Sequence, residues 1–472
     1  MSTKTQLAVI GAGPGGYAAA FLAADLGMEV TLIDMEKNPG GVCLYRGCIP
    51  SKALLHVAKL LNEAEEAKKW GIDFGKPKID IDKLREFKDG VVGKLTGGLG
   101  QLSKQRKVNY IQGRASFVNS TALLVEKTDG STEEVVFEKA ILATGSVPAS
   151  VPAFSIGSDK VMDSTAALEL KDVPKRLLVV GGGYIGLELS TVYASLGSKV
   201  TVVEMMPGIL PGADRDMVAV LERRLKSRFE NIYVNTKVVE LKETKKGIEV
   251  KLEGDKVDNP VQTFDKVLVS VGRKPVTKGL GLENTSVKIN EKGFVSVDGT
   301  MKTDDDKIYA IGDIVGNPML AHKAAAEGKV AVEAIMGKRV AFEPNAIPAV
   351  VFTDPELAWA GITETEAREK GIKYEVAKFP WGASGRATTL DRNDGMTKLI
   401  IEPETERIIG VGIVGVGAGD LIAEGTLAIE MGANANDLEL TIHPHPTLSE
   451  TMMFAAELYY GRATDMYRPK RK

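Results

Sequence analysis

Cysteine and histidine are both scarce in this chain, which has two cysteines and four histidines among 472 residues. Two thiols in so long a chain fit a reducing compartment, where cysteines seldom serve as structural cross-links. The chain also lacks an uninterrupted run of about 18 apolar residues, so a transmembrane helix is not expected. The expected location is therefore the cytoplasm.

A strong charge of either sign is missing as well. The 60 Lys and Arg residues stand against 63 Asp and Glu residues, which leaves a net charge of −3. A net charge this close to zero argues against nucleic acid or an anionic membrane as the main partner. One basic run, residues 468–472, is expected to be a solvated tail.

Glycine, by contrast, is abundant, and many of its 50 residues lie in short loops between apolar runs. Two stretches, Leu7–Asp34 and Leu177–Glu204, align without a gap, and each reads as strand, G-x-G-x-x-G loop, helix and a second strand ending in an acid. Such a loop brings backbone close to a pyrophosphate at the helix N-terminus, and the acid binds a ribose hydroxyl. The repeat predicts two dinucleotide sites, with the ligands Gly11, Gly13, Gly16 and Asp34 in the first and Gly181, Gly183, Gly186 and Glu204 in the second.

The two cysteines, Cys43 and Cys48, follow the first of these stretches at the expected start of a helix. At this spacing they can close a small loop as a disulfide, and a helix N-terminus favours the reactive thiolate. Two other interpretations remain open at this point. The pair forms half of a zinc site, with His56 nearby, or consists of inert buried thiols.

Two of the histidines, His443 and His445, each precede a proline. A residue before proline avoids the helical conformation, and side chains two apart in extended chain face opposite ways. We therefore expect no shared metal. A histidine with the nearby Glu450 fits a general base oriented by a carboxylate, although loop histidines are more often structural or exposed.

Beyond about Asn345 the pattern changes to alternating strands around helices, which indicates a third unit of α+β type. In chain order, the segments GAGPGG, GGVCLYRGCIPSK, GGGYIGLE, YAIGDI and HPHPTLSE resemble the pyridine nucleotide-disulfide oxidoreductases. Two more segments, residues 352–364 and 379–387, extend the resemblance along essentially the whole chain. The resemblance is strongest to the bacterial members that oxidise dihydrolipoamide.

The resemblance implies that the first glycine loop holds FAD and the second NAD. It implies that Cys48 lies against the flavin and that Cys43 exchanges with substrate. It also implies that His445, held by Glu450 and followed by a cis proline, acts at the flavin site of the other subunit. Further cofactor-binding positions are implied for Gly41, Ala115, Gly145, Val238, Gly272, Asp313 and Ala321, and for Lys52 near the reactive flavin nitrogen, paired with Glu188.

The acid at the end of the second repeat bears on the choice of nucleotide. Glu204 would repel a 2′-phosphate, and it is followed directly by Met205, Met206 and Pro207 and not by arginines, so NAD is favoured over NADP. The chain departs from the family pattern at Tyr45 and Arg46, beside the cysteines. Tyr184, after the second glycine loop, resembles a gating tyrosine of related reductases, and we assign it no role.

The expected fold class is α/β, with two Rossmann-like dinucleotide-binding domains and a C-terminal α+β dimerisation domain. The domains implied are an FAD-binding domain in two parts, residues 1–149 and 276–345, an NAD-binding domain, residues 150–275, and an interface domain, residues 346–472. No metal is expected.

The implied activity is oxidation of protein-bound dihydrolipoamide to lipoamide, with electrons passing through a Cys43–Cys48 disulfide and FAD to NAD⁺. The implied partners are a second copy of the chain and the lipoyl domains and acyltransferase core of 2-oxo acid dehydrogenase complexes, or the lipoyl protein of glycine cleavage. Two alternatives are another NAD(P)H-dependent disulfide reductase of the family and a flavin electron carrier without disulfide chemistry.

Overall fold

The computed structural model describes residues 2–466, and the basic run 468–472, expected to be a solvated tail, lies outside them. The strands, numbered in chain order, are β1 (Ser2–Ile10), β2 (Val30–Asp34), β3 (Asn109–Asn119), β4 (Ala122–Lys127), β5 (Thr132–Leu142), β6 (Ser146–Pro148), β7 (Val161–Met162), β8 (Arg176–Val180), β9 (Lys199–Val203), β10 (Asn231–Tyr233), β11 (Lys237–Thr244), β12 (Gly247–Glu253), β13 (Val261–Phe264), β14 (Lys266–Val269), β15 (Arg273–Pro275), β16 (Ile308–Ala310), β17 (Ala349–Val351), β18 (Glu356–Gly361), β19 (Glu375–Pro380), β20 (Met396–Ile401) and β21 (Ile408–Gly415). The α-helices are α1 (Pro14–Asp25), α2 (Gly41–Arg46), α3 (Cys48–Glu66), α4 (Ile81–Gln105), α5 (Ser164–Glu169), α6 (Tyr184–Ser195), α7 (Arg215–Arg228), α8 (Ala321–Ile335), α9 (Glu364–Glu369), α10 (Gly385–Thr389), α11 (Ala418–Glu430), α12 (Ala435–Leu440) and α13 (Glu450–Tyr460).

The first sheet is built around β1, which pairs in parallel with β2 on one side and β5 on the other. β3 and β16 continue the parallel sheet outwards, and β4 joins β3 to β5 as an antiparallel strand. The last four residues of β1 are all buried, as expected for a central parallel strand covered on both faces. Helices α1 and α8 pack against each other beside this sheet.

The second parallel sheet repeats this plan. Its order is β10-β9-β8-β14-β7, with every pair parallel. The unit β8-α6-β9 corresponds to β1-α1-β2, and in each unit the helix begins directly after the second glycine of the loop. The predicted pair of Rossmann-like domains is confirmed.

The chain passes between these two domains twice, and the two passages lie side by side. β6, on the outward passage, pairs in antiparallel fashion with β15, on the return. After the return, β16 adds to the first sheet, so this sheet is built from two separate parts of the chain. The boundaries at residues 149, 275 and 345 stay predictions.

The C-terminal unit is an antiparallel sheet in the order β17-β18-β21-β20-β19. α11 and α13 pack on this sheet around fully buried side chains such as Phe379 and Trp381. The α+β expectation is confirmed. The segment that contains His443 and His445 connects α12 to α13 and is not helical. This agrees with the prediction made from the proline that follows each histidine.

No helix between residues 2 and 466 combines the length and the apolar character needed to cross a membrane.

Candidate active site

A cavity of about 520 Å³ lies where the carboxyl ends of β1 and β2 meet α2, α3 and the start of α6. In parallel α/β sheets, ligands bind at this end of the strands. The predicted site residues that line the cavity are Gly11, Gly13, Asp34, Gly41, Cys43, Cys48, Lys52, Ala115, Gly145, Glu188, Asp313 and Ala321.

The first glycine loop leaves room for a ligand at one position only. A methyl group on Gly11 would lie 2.3 Å from the carbonyl oxygen of Ala143, and one on Gly16 would lie 1.8 Å from that of Gly11. These two glycines are therefore required by close backbone packing. A methyl group on Gly13 would meet no atom within 4 Å, and Gly13 lines the cavity at the N-terminus of α1. This open space beside helix amides fits the pyrophosphate of a dinucleotide.

Asp34, the acid at the end of β2, holds the glycine loop in shape. Its Oδ2 atom accepts a hydrogen bond of 2.6 Å from the backbone N–H of Ala12, and its Oδ1 atom accepts one of 2.9 Å from Glu36. Burial raises the pKa of Asp34, and these two donors oppose the rise. The predicted contact with a ribose hydroxyl stays a prediction.

The two cysteines face each other across a break between helices. Cys43 is the third residue of α2 and Cys48 is the first residue of α3, so each lies in the first turn of its own helix. Both are free thiols in this structure. The disulfide between them stays a prediction for the oxidised protein.

The electrostatics of the pair are strongly asymmetric. A hydrogen bond from the Cys43 thiol lowers the pKa of Cys48 to about 7, and the charge of Lys52 acts in the same direction against the effect of burial. The same hydrogen bond, together with burial, raises the pKa of Cys43. In the reduced pair the thiolate therefore resides on Cys48 and the proton on Cys43.

Lys52 and Glu188 form the predicted pair, with 2.7 Å between Lys52 Nζ and Glu188 Oε2. Glu188 also accepts a hydrogen bond of 2.9 Å from Ser51 Oγ and one of 3.1 Å from the backbone N–H of Phe352. The Phe352 ring lies beneath Lys52, 4.5 Å from Nζ to the ring centre. One buried carboxylate thus joins α3, α6 and the C-terminal unit.

Ser51 and Phe352 were not among the predicted site residues. Ser51 precedes Lys52 directly, so its position in the motif was a usable signal. Phe352 lies far from α3 in the sequence, and spacing alone does not indicate its contact with Lys52.

Asp313 also lines the cavity. It accepts a short hydrogen bond from Ser146 Oγ, which in turn accepts one of 2.7 Å from Arg273 Nε. Arg273 also lines the cavity, and like Ser51 and Phe352 it was not among the predicted site residues. Its place at the start of β15, next to the passage between the domains, explains why it reaches Ser146 on β6.

Tyr45 and Arg46, the two departures from the family pattern, make different contacts. Arg46 lines the cavity and pairs with Glu36, with 2.6 Å between Nη2 and Oε1. Tyr45 donates a hydrogen bond of 3.1 Å from its hydroxyl to the backbone carbonyl of Asn38. Tyr184 lines the cavity as the first residue of α6.

The second glycine loop repeats the geometry of the first. Methyl groups on Gly181 and Gly186 would meet backbone carbonyl oxygens at 2.5 Å and 2.3 Å, whereas one on Gly183 would meet nothing within 4 Å. Glu204 Oε2 accepts a hydrogen bond of 2.7 Å from the N–H of Gly182, as Asp34 does from Ala12. This loop therefore fits a second dinucleotide.

The ligands predicted for the second dinucleotide site lie outside the 520 Å³ cavity, as do Val238 and Gly272. Val238 lies on β11, and Gly272 follows β14 and accepts a hydrogen bond of 2.9 Å from the N–H of Ala149. Their cofactor contacts stay predictions.

His445 and Glu450 are paired, with 2.8 Å between Nδ1 and Oε1, and the His445–Pro446 bond is cis as expected. The His445 side chain is 76% exposed, whereas that of Glu450 is buried. His445 does not line the cavity of its own chain. His443 faces the other way, with a side chain 5% exposed and Nε2 2.6 Å from Glu424 Oε1, as the alternation of side chains predicted.

Two matches to family models cover most of the chain. Residues 5–328 match the pyridine nucleotide-disulphide oxidoreductases, and residues 347–456 match the dimerisation domain of the same family. The chain belongs to the pyridine nucleotide-disulphide oxidoreductase family.

Its similarity to individual members is also extensive. The chain is 50% identical to the dihydrolipoyl dehydrogenase of Vibrio cholerae over 99% of its own length and 98% of the relative's. It is 46% identical to that of Geobacillus stearothermophilus, over 97% of each chain. Among solved structures, LpdA from Mycobacterium tuberculosis superposes with a TM-score of 0.89 at 27% identity, covering 96% of this chain and 99% of the other. The HOCl-induced flavoprotein disulfide reductase RclA from Escherichia coli superposes with a TM-score of 0.84 at 28% identity, covering 95% and 98%.

Proposed function

We propose that this chain is a flavin disulfide oxidoreductase that oxidises dihydrolipoamide to lipoamide and reduces NAD⁺. The observation that carries the proposal is that the cysteine pair and the first glycine loop line one cavity, so that a dithiol and a bound dinucleotide meet there. The relatives named dihydrolipoyl dehydrogenase, at up to 50% identity over nearly the full chain, support the substrate.

The cofactors are FAD at the first glycine loop and NAD at the second. When bound, FAD supplies a two-electron acceptor between the dithiol and NAD⁺. The cysteines follow the first loop directly and share its cavity, which is why the flavin nucleotide belongs there. Gly13 and Gly183 offer open space for the two pyrophosphates.

The cysteine pair exchanges with substrate in two displacement steps. A substrate thiolate attacks Cys43 Sγ of the oxidised pair, breaks the bond to Cys48 and leaves Cys48 as a thiolate. The second substrate thiolate attacks the substrate sulfur bound to Cys43, which releases cyclic lipoamide and reduces Cys43. A thiol of low pKa is the better leaving group. The positive charge of Lys52, which acts to lower the pKa of Cys48 whether or not Cys43 carries a proton, supports this direction of attack.

The proton released by the substrate dithiol needs a base. His445 Nδ1 lies 2.8 Å from Glu450 Oε1, so the carboxylate orients the ring. His445 does not reach the cavity of its own chain, so we propose that it serves the cavity of a second copy in a homodimer.

Exposed apolar side chains in the C-terminal unit support this assembly. Leu427, Met431, Leu440 and Ile442 are between 62% and 95% exposed, and all lie in the region that matches the dimerisation domain. Apolar side chains left this exposed are typical of an interaction surface. Further proposed partners are the lipoyl domains and acyltransferase core of 2-oxo acid dehydrogenase complexes, or the lipoyl protein of glycine cleavage.

The direct test is a pair of assays on one preparation of the purified holoenzyme. We expect NAD-dependent oxidation of dihydrolipoamide and little NADPH-dependent reduction of glutathione disulfide. Turnover of glutathione disulfide with NADPH, and none of dihydrolipoamide, would place the chain with the sister reductases. Bound flavin with neither activity would favour an electron carrier without disulfide chemistry.

Replacing Glu204 by Gln is expected to shift the nucleotide preference towards NADP. The change removes the negative charge that repels the 2′-phosphate of NADP. It also weakens the hydrogen bonds from residue 204 to the ribose of NAD. We expect the ratio of kcat/KM for NAD to that for NADP to fall by about tenfold, or about 1.4 kcal/mol. Glu230→Gln, in the same domain but paired with Arg176 at the surface, is the control. A wild-type preference for NADP would contradict the assignment of the second loop.

The two-electron-reduced enzyme is expected to gain long-wavelength absorbance that depends on pH. The pKa of Cys48 lies at about 7, below its ordinary value, so the thiolate beside the flavin is present above this pH and is lost as the pH falls through it. The measurement is a titration of the reduced enzyme across about pH 5 to 9. Lys52→Met, which removes a nearby positive charge, should move the midpoint upwards. A midpoint at the ordinary thiol pKa in the wild type would refute the asymmetric pair.

A further inference from the structure

A buried ion pair lies on α8, directly beneath the loop that carries Asp313 into the cavity. Lys323 and Glu327 are one helical turn apart, with 2.6 Å between Nζ and Oε1, and their side chains are 7% and 2% exposed. Buried charges are costly to desolvate unless each is paired and hydrogen-bonded. Neither residue lines the cavity, so the pair does not act by contact with a ligand there.

Both members of the pair bond to the ends of the same loop, residues 312–316. The backbone N–H of Gly312 donates a hydrogen bond of 2.7 Å to Glu327 Oε2, and Lys323 Nζ approaches the carbonyl oxygen of Gly316 at 3.5 Å. Burial raises the pKa of Glu327, while Lys323 and the Gly312 N–H oppose the rise. The carboxylate thus binds a cation with one oxygen and the loop with the other.

The loop is bounded by two glycines with positive φ, Gly312 at +79° and Gly316 at +137°. Because glycine is conformationally permissive, the position of the loop depends on the contacts made at its ends. Between them Asp313 reaches the cavity and bonds to Ser146. Helix α8 itself packs closely on α1, since a methyl group on Gly328 would lie 2.8 Å from the carbonyl oxygen of Gly15. Because α8 contacts both α1 and the loop 312–316, it holds this loop in a defined position relative to the first glycine loop.

We propose that Lys323 and Glu327 are positioning residues that hold both ends of the loop 312–316 and thereby place Asp313 against the dinucleotide in the cavity. The inference rests on the proposed function in that the dinucleotide is FAD. The anchoring atom is Glu327 Oε2. Lys323 acts mainly by neutralising that carboxylate, because its 3.5 Å approach to the carbonyl oxygen of Gly316 is the weaker of the two restraints on the loop.

Two double variants distinguish the effect of the hydrogen-bond acceptor from the effect of the two charges. Lys323→Met with Glu327→Gln removes both charges but keeps an oxygen acceptor for the Gly312 N–H. Lys323→Met with Glu327→Leu removes the acceptor too, at similar side-chain volume. The readout is the rate at which FAD leaves the purified holoenzyme, followed by flavin fluorescence after dilution. The control is Glu222→Gln with Lys226→Met, which removes an exposed pair of the same spacing on α7.

We expect the Gln variant to release FAD within about threefold of the wild-type rate, and the Leu variant to release it about tenfold faster or more, because the buried N–H of Gly312 is left without a partner. In an Asp313→Asn background the additional effect of the Leu variant should shrink, since the anchor acts through Asp313. The visible flavin spectrum of the Leu variant should shift as well, which a general loss of stability would not cause.

Equal release rates for the Gln and Leu variants would overturn the proposal, and so would a Leu effect that is unchanged in the Asp313→Asn background. If the Leu variant does not fold, hydrogen exchange of the peptide containing residues 312–316 decides. Protection of the Gly312 amide in both the wild type and the Gln variant supports the anchor, and rapid exchange in the wild type refutes it. A wild-type protein that carries no flavin would instead refute the proposed function.

Discussion

Replacement of Cys43 or Cys48 by serine is expected to reduce dihydrolipoamide turnover about a thousandfold or more, because each variant loses one sulfur of the exchanging pair. The chain has no other cysteine that could substitute. FAD should remain bound in both variants, since the glycine loop and the Lys52–Glu188 pair are intact. The measurement is steady-state turnover alongside flavin content. Full turnover in either variant would exclude the disulfide mechanism and favour an electron carrier.

The two serine variants should differ in their spectra, although both are inactive. Cys43→Ser keeps the Cys48 thiolate and a hydroxyl able to donate to it, so long-wavelength absorbance should persist. Cys48→Ser removes the thiolate of lowered pKa, so this absorbance should vanish. The reverse result would exchange the assigned roles of the two cysteines.

His445→Gln is expected to lower dihydrolipoamide turnover by about 100-fold or more, because the substrate dithiol then lacks its proton acceptor. Glu450→Gln should have a weaker effect, since the imidazole stays but loses its charged partner. His443→Gln is the matched control. His443 also bonds to a glutamate, Glu424, but its side chain is almost fully buried, so its replacement should affect stability more than turnover. Near-normal turnover in His445→Gln would rule out this base.

A mixture of inactive chains tests whether His445 serves the other copy. A heterodimer of Cys43→Ser and His445→Gln chains contains one site with both intact parts if the site is shared between copies. Random reassociation should then restore about a quarter of wild-type activity, because half of the dimers are mixed and each has one of two sites intact. No recovery would show that each chain supplies its own base.

The cysteine pair has properties that the sequence alone does not determine. The motif predicts two reactive thiols near a helix start, but it does not say which of them carries the negative charge. That depends on the direction of one hydrogen bond, on burial and on the distance to Lys52. The helix break between Cys43 and Cys48, at Gly47, was also not predicted, since a residue-by-residue pattern does not resolve so short an interruption.

The sequence by itself determined the two glycine loops, the acids that end their second strands, the fold class and the non-helical path around His445. These features follow from local constraints. A positive φ and close backbone approach require glycine, a residue before proline avoids helix, and a strand–loop–helix unit has a fixed spacing.

Only the tertiary structure decided which distant residues meet. Three features depend on how packed elements orient their side chains. These are the three hydrogen-bond donors to Glu188, the bonds from Lys323 and Glu327 to the two ends of one loop, and the exposure of His445 outside its own chain's cavity. Most of these partners lie on different elements, and a contact between separate elements leaves no periodic trace in the sequence. Burial, which sets both the cost of a charge and the pKa of a thiol, exists only once those elements have packed.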